Sequence, residues 1–338
     1  MSKLVTIAIP IYKRLEYLPS VLAIVAAQDY PNLELLVSDN GQNGTVVPDI
    51  VAKYYPKPFR FRQNPATVNI STHFNQLIEN ASGEYFVVLA DDDEISANYV
   101  SDLVEVIEKH PEASVAMAIQ ETIDEAGNSL SRSKNTVPEV LSGPDFIRAA
   151  WGTHEYGFRS FSTYLARRDK LLDCGGYPNF YVGCADEDAM FVKLCLESSI
   201  AFSTRSVFRK RYSESSDGYS APLEDLARGM RDYFEFLDTE PRLLKYAAAH
   251  PAEWKEAKVY LLGMGWKLYH LLWAGMYRNR LTRLQWFRAA FSLPFIPDYY
   301  RAVAQTFYSS VLGALLGVGK RYVPWAYEIY RTAKAKLS

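Results

Sequence analysis

Two acid-rich runs, Asp91-Asp92-Asp93-Glu94 and Asp186-Glu187-Asp188, carry the strongest chemical signal in this chain of 338 residues. Adjacent carboxylates repel one another unless a cation or a shared proton relieves them. A hard, oxygen-seeking ion such as Mg²⁺ or Mn²⁺ suits such a cluster. The competing reading is helix capping, because acids also favour the positive end of a helix dipole. A third acid, Asp39, opens the turn Asp39-Asn40-Gly41.

The elements before these acids say where they sit. Tyr85 to Leu89 is an apolar run of strand length, rich in β-branched and aromatic residues, with Gly83 turning into it. Leu4 to Ile11 and Leu33 to Ser38 have the same texture, and Arg14 to Gln28 carries a helical stripe at Leu18, Val21, Leu22 and Val25. Further elements are expected as helices at Val46 to Tyr55, Ser71 to Asn80 and Tyr99 to Lys109, and as strands at Phe59 to Arg62 and Ser114 to Ile119. Asp124 to Asn135 reads as a hairpin or loop, Gly143 to Ala150 as a helix, and Phe161 to Ala166 and Phe202 to Phe208 as short strands. Strands alternating with helices predict an α/β fold, a mostly parallel sheet with helices on both faces and mixed strand directions after Asn135. Asp39 and Asp91 then share the carboxyl edge, where open parallel sheets bind ligands.

From Leu223 the texture becomes α-helical, broken at Pro241, Pro251, Pro294, Pro297 and Pro324. The expected division is a sheet domain over 1–221 and a helical region over 222–338. Leu261, Leu262, Trp266, Tyr269, Leu272, Trp273, Met276 and Tyr277 form a broad apolar stripe, followed by Arg278, Arg280, Arg283 and Arg288 with Trp286 and Phe287. Aromatics interleaved with arginines suit an interfacial helix on anionic lipid; a packing or homo-oligomer surface is the other reading.

Hydrophobic residues at 49%, charged residues at 22% and a formal net charge of −2 describe a globular chain with no general attraction to nucleic acid. Cys174, Cys184 and Cys195 form no CxxC pair and are expected as buried thiols in a reducing compartment. Met1 to Leu4 run straight into a strand pattern, so the expected location is cytoplasmic. The five histidines show no zinc spacing, and neither GxGxxG nor a Walker A sequence follows the first strand.

Four segments in order resemble a known family. Val5-Thr6-Ile7-Ala8-Ile9-Pro10-Ile11-Tyr12-Lys13-Arg14 is similar to its opening strand, and Glu34-Leu35-Leu36-Val37-Ser38-Asp39-Asn40-Gly41 to its second. Gly83 to Asp93 resembles the strand ending in its DxD-type motif, with Ala90 where many members have the first Asp. Gly175-Gly176-Tyr177 with Asp186-Glu187-Asp188 resembles its glycine-rich turn and the acidic pair before a helix. The family is that of the inverting nucleotide-sugar glycosyltransferases called family 2, which have the GT-A fold.

The resemblance implies a cytoplasmic, metal-dependent enzyme moving a sugar from a nucleotide donor to an acceptor hydroxyl. Asp188 corresponds to the base, with Glu187 orienting the acceptor and Asp186 left to cap the helix. Asp92 aligns with the last acid of the motif as the Mn²⁺ or Mg²⁺ ligand, beside Asp93 and Asp91, whose individual duties stay open. Pro10, Tyr12 and Asp39 correspond to the nucleotide pocket. Arg14 and Asn64 lie at donor contacts, although Arg14 equally begins a helix. Asn69 and Asn75 read as helix-terminal and packing residues. Arg209-Lys210-Arg211 falls where a flexible loop closes over diphosphate, solvated charge being the alternative. The donor implied is a UDP-sugar ahead of GDP or dTDP sugars. The acceptor implied is a saccharide, lipid-linked at the inner membrane face, in bacterial surface polysaccharide synthesis. A sugar nucleotidyltransferase and a non-catalytic nucleotide-sugar-binding scaffold are the competing functions. The former is expected to carry a glycine-rich phosphate loop after its first strand, which is absent here.

Overall fold

Strand β1 (Val5–Ile11) pairs in parallel with β2 (Leu33–Asp39) on one side and β4 (Tyr85–Val88) on the other, and β2 pairs in parallel with β3 (Arg60–Gln63). These four strands therefore end at one edge of the sheet, as the alternating pattern predicts. The computed structural model describes residues 2–158, 161–212 and 221–266. The expected loop at Ser213 to Ser220 and the stretch from Tyr269 to Arg288 with its aromatics and arginines lie outside the described residues, as do the breaks at Pro294, Pro297 and Pro324.

Beyond β4 the sheet continues through β9 (Leu165–Arg167), β6 (Ala113–Ile123) and β10 (Ser199–Arg211) to β5 (Glu94–Ile95), while β7 (Ser129–Arg132) and β8 (Val140–Ser142) pair with β6 and β10. β9 is antiparallel to both β4 and β6, so β6 and its parallel neighbour β10 run in the direction of β1. Arg211, the last residue of β10, is thereby delivered to the same edge as Asp39 and Asp91.

The sheet is covered on both faces. Val5, Ile7, Ile9 and Ile11 point to one side, into a core with helices α1 (Leu18–Ala26), α2 (Val46–Tyr54) and α4 (Tyr99–Lys109). Ala8, Leu36 and Phe86 point to the other, against α3 (Ile70–Asn80), α5 (Gly143–Ile147), α6 (Arg168–Asp173) and α7 (Asp186–Cys195). Helices α8 (Leu223–Thr239), α9 (Pro241–Ala249) and α10 (Pro251–Trp266) bury Leu226, Met230, Tyr233, Leu243 and Leu261 in this second core. The described helices after Pro222 thus share their core with the sheet. Pro241 and Pro251 each open a helix, where a fixed φ and a missing N–H cost nothing. Cys174, Cys184 and Cys195 are free and buried, as expected. No helix among the described residues is long and apolar enough to cross a membrane.

Three departures from the sequence expectation bear on the site. Helix α1 starts at Leu18, with Pro19 in its first turn, so Arg14 lies in a loop before it. Glu94 and Ile95 form an antiparallel bridge to Arg209 and Phe208 and do not belong to a helix-capping loop. The basic run Arg209-Lys210-Arg211 is the end of the 13-residue strand β10 and not a flexible loop. A register shift between Phe202 and Val207 breaks the period-two pattern there, and pairing on both sides holds a strand that propensity alone would end.

Gly41 shows how tightly the edge is built. A Cβ on Gly41 would lie 1.5 Å from the carbonyl oxygen of Tyr12. We predict that Gly41→Ala costs about 1–3 kcal/mol of stability by forcing β1 and β2 apart, read as a lower Tm. An unchanged Tm would show that the two loops are free to separate.

Candidate active site at the carboxyl edge of the sheet

The turn after β2 is organised by Asp39. Its Oδ1 accepts from the Gly41 N–H at 2.7 Å and from Asn43 Nδ2 at 2.8 Å, and its Oδ2 accepts from the Asn43 N–H at 2.7 Å. Asn43 also donates through Nδ2 to the Tyr12 carbonyl, joining the two loops. Asp39 is fully buried, so its carboxylate faces the turn it shapes. Asn64 is equally inward: its Nδ2 donates to Asn40 Oδ1 at 2.9 Å and its Oδ1 accepts from Arg62 at 3.0 Å. Pro10 and Tyr12 keep part of their surface at the edge, and Lys13 lies over the Tyr12 ring at 4.7 Å.

Arg14 holds the first acid run. Its two terminal nitrogens stand 3.2 Å from Asp91 Oδ1 and 2.8 Å from Asp92 Oδ2, one guanidinium bridging two buried carboxylates. Arg14 makes these contacts from the loop before α1. Burial pushes the Asp91 carboxyl up to about 7, with Asp92 adding to the rise and Arg14 opposing it. Asp93 is also raised, first by burial and then by Asp92, against the pull of Lys210 and of the Arg211 N–H that donates to its Oδ1 at 2.8 Å. Arg211 does more than this. Its side chain donates to the Asp92 carbonyl at 2.9 Å, to Glu94, and to the carbonyls of Asp124 and Glu125, and it stacks 4.9 Å over Tyr17. A single buried arginine therefore fixes the acid loop to β10 and to the β6–β7 turn.

The second run begins α7. Ala185 precedes it with φ 62°, and Asp186 accepts from the Glu187 N–H at 2.8 Å and from Ser71 Oγ at 2.5 Å. Burial, reinforced by Glu187, pushes Asp186 up to about 8. Asp188, one turn into the helix and partly exposed, accepts from Trp151 Nε1 at 3.0 Å. Its carboxyl is pushed up to about 7, chiefly by desolvation, with Trp151 and Lys210 opposing the rise and Glu187 adding to it. Lys210 acts on Asp93 and Asp188 alike, so the two acid runs share one cationic neighbour. Asn75 secures the turn before this helix. It donates to the Tyr177 carbonyl and accepts from the Tyr177 N–H, both at 2.8 Å, and its Oδ1 would lie 2.2 Å from a Cβ on Gly176.

The structure thus gathers Pro10, Tyr12, Arg14, Asp91, Asp92 and Asp93 along one edge, with Lys210 acting on both Asp93 and Asp188. Asp39 and Asn64 lie beneath that edge with their polar atoms turned inward. Sequence reasoning missed Trp151, Ser71 and the bridging roles of Lys210 and Arg211. No spacing links Trp151 to an acid 37 positions away, whereas Asn43 was readable as an Asx-turn partner of Asp39.

No three His, Cys, Asp or Glu side chains converge to hold an ion among the described residues. Mg²⁺ and Mn²⁺ do not require three, since one or two carboxylates with substrate phosphates suffice. Asp91 and Asp93, both raised by burial and by Asp92 between them, are hard oxygen donors whose ionised forms a cation would favour. The donor set fits.

Asp186 supplies a stability test. Its folded pKa lies above the unfolded value, so protonation stabilises the fold fully below the unfolded pKa, and that stability is lost as pH rises toward about 8. Asn keeps the acceptor for the Glu187 N–H without ionising. Asp186→Asn should match the parent near pH 4 and exceed it increasingly up to pH about 8, with Tm changing about 2–4 °C for each kcal/mol. A Tm difference independent of pH would rule out the buried charge as its origin.

Comparisons with known proteins agree with this architecture. A sequence model described as Glycosyl transferase family 2 matches residues 6–175, from β1 through the glycine turn. An uncharacterized glycosyltransferase of Rickettsia conorii is 31% identical over 130 residues, covering 38% of this chain and 21% of the relative. One of Rickettsia felis is 30% identical over the same length and coverage, so the match spans about a fifth of these curated relatives. Among solved structures, Staphylococcus aureus TarS residues 1–349 in complex with UDP-GlcNAc aligns with a TM-score of 0.63 at 16% identity, covering 89% of this chain and 81% of that one. The mannosyltransferase PcManGT of Pyrobaculum calidifontis, in complex with GDP-Man and Mn²⁺, aligns with a TM-score of 0.53 at 16% identity, covering 99% and 85%. With four parallel strands ending at an acid-lined edge and the family's sequence pattern running across half its length, the chain belongs to glycosyl transferase family 2 and has a GT-A-like fold.

Proposed function

We propose that the chain is a metal-dependent inverting glycosyltransferase in which Asp188 is the general base. One observation carries the assignment: Asp188 is partly exposed at the start of α7 and oriented by Trp151 Nε1 at 3.0 Å, where desolvation pushes its carboxyl up to about 7. A base is most effective when its pKa lies near the working pH. Inversion in one displacement needs a single carboxylate on the side opposite the leaving diphosphate, and Lys210 acts on Asp188 as it does on Asp93 of the first acid run. Glu187, its neighbour on α7, orients the acceptor hydroxyl.

On the donor side, Asp92 and Asp93 would hold Mn²⁺ or Mg²⁺ together with the diphosphate, beside the Arg14 guanidinium that bridges Asp91 and Asp92. The ion, when bound, offsets the charge that develops on the leaving nucleoside diphosphate. Pro10 and Tyr12 flank the nucleotide, with the Asp39 turn supporting them from below. The TarS complexes with UDP and UDP-GlcNAc support a UDP-sugar donor, and the PcManGT complex with GDP-Man and Mn²⁺ supports the metal. The acceptor is a saccharide hydroxyl, lipid-linked or on a growing surface polysaccharide, reached from the cytoplasm at the inner membrane face.

Three measurements test this reading. Asp188→Asn should lower transfer by about 10²–10⁴ while donor binding persists; an unchanged rate removes Asp188 as base. The parent kcat/KM should rise with pH through about 7, because Asp188 must be ionised to take a proton, and a profile flat from pH 5 to 8 contradicts that role. A thermal-shift panel of UDP, GDP, dTDP and CDP should give a Mn²⁺-dependent rise in Tm for one nucleotide, UDP by this reading. Metal-independent binding of every nucleotide would leave Asp92 and Asp93 without the assigned function.

A further inference from the structure

Trp151, whose N–H orients Asp188, sits in a π-helical turn, Arg148–Thr153, that continues α5. Such a turn holds more residues than an α-helical one, so its side chains leave the α-helical register, and π-turns are frequent at functional sites. The turn ends at His154, a non-glycine residue with φ 53°. The Trp151 indole is 4% exposed and packs against Phe146 and Phe161, with ring centroids at 5.7 and 5.0 Å, which fixes the direction of its N–H.

The turn is braced by the helices after Pro222. A Cβ on Gly152 would lie 2.8 Å from the ring of Tyr260 on α10, so the backbone beside Trp151 rests directly on that ring. Tyr260 Oη donates to Glu256 at 2.8 Å, one turn back along α10, and its ring packs on the core that contains Trp151. Asp188 also acts on Tyr233 of α8, whose Oη donates to the Leu261 carbonyl of α10 at 3.4 Å. The other charged or titratable groups coupled to Asp188 are Glu187 and Asp186 on α7, Lys210 on β10, and Cys184 just before α7.

We propose that Tyr260 and Gly152 are positioning residues for the base: α10 holds the π-turn, the π-turn holds Trp151, and Trp151 holds Asp188. The described helices after Pro222 then serve the chemistry of the carboxyl edge as well as the core. This inference rests on Asp188 being the base. A donated hydrogen bond favours the ionised carboxylate, so loosening any link in the chain should make Asp188 harder to ionise.

The ionisation of Asp188 is read without substrate by ¹³C NMR of the full chain labelled at aspartate Cγ. Asp188→Asn identifies the resonance, whose midpoint in the parent is expected at about 7. Trp151→Phe keeps a ring and removes the donor, and should raise the midpoint by about one pH unit, a tenfold change in ionisation. Tyr260→Leu removes the brace and should shift the midpoint in the same direction by a smaller amount. Combined with Trp151→Phe it should add nothing, because it acts through the indole. Gly152→Ala presses on the same contact and replaces Tyr260→Leu if that variant does not fold, with the same non-additivity expected. The acid limb of kcat/KM should move to higher pH in step with each midpoint. An unchanged midpoint in Trp151→Phe or Tyr260→Leu, or additive shifts in the double variant, overturns the positioning role even where Asp188→Asn has lost transfer. Retained transfer in Asp188→Asn overturns the base assignment and the positioning role together.

Discussion

The removal of carboxylates from water at one sheet edge is the constraint on which this structure depends. Asp91, Asp92, Asp93 and Asp186 are all buried, and Glu187 and Asp188 stand close enough to raise their neighbours. Such crowding survives only where cations are placed against it. Arg14 bridges Asp91 and Asp92, Lys210 acts on both acid runs, and Arg211 ties the acid loop to the strand end. The compensation is incomplete, since several of these carboxyls remain raised toward neutrality. Perturbed acids of this kind gather where proton transfer or cation binding takes place.

The rest of the fold is arranged so that these charges meet. Parallel pairing brings the ends of β1, β2 and β4 together, and the antiparallel β9 restores the direction so that β10 delivers Lys210 and Arg211 to the same edge. Gly41 lets the loops after β1 and β2 touch at the Tyr12 carbonyl, and Asp39 and Asn43 lock that contact. Asn75 holds the Gly176 turn, which sets the start of α7. Behind α7, helices α8 to α10 fill the same core as the sheet, so the helix carrying Asp188 is packed on every side except the one it presents to the edge.

Helix α7 also joins two unlike environments. Its amino end bears acids next to cations, and its carboxyl end bears Lys193, whose ammonium burial disfavours while Cys174 and Glu240 favour it. Lys193 is buried because the stripe of Met190, Phe191 and Leu194 must face the core, and the turn of the helix carries position 193 inward beside it.

Much was legible in the residues themselves. Continuous apolar runs determined the parallel strands, since only strands buried on both faces tolerate such runs, and glycine, asparagine and proline marked their ends. The order of four motifs determined the family, and the acids after the fourth strand and before α7 marked the edge at which they meet. Tertiary structure decided what those residues touch. That Arg14 lies outside α1 and bridges two aspartates, that Arg209 to Arg211 extend a strand, that Asp39 and Asn64 turn inward, and that Trp151 orients Asp188 all depend on partners distant in sequence. Local pattern carries no information about such pairs, because burial and hydrogen-bond geometry are set by the packing of sheet against helix and not by any neighbour along the chain.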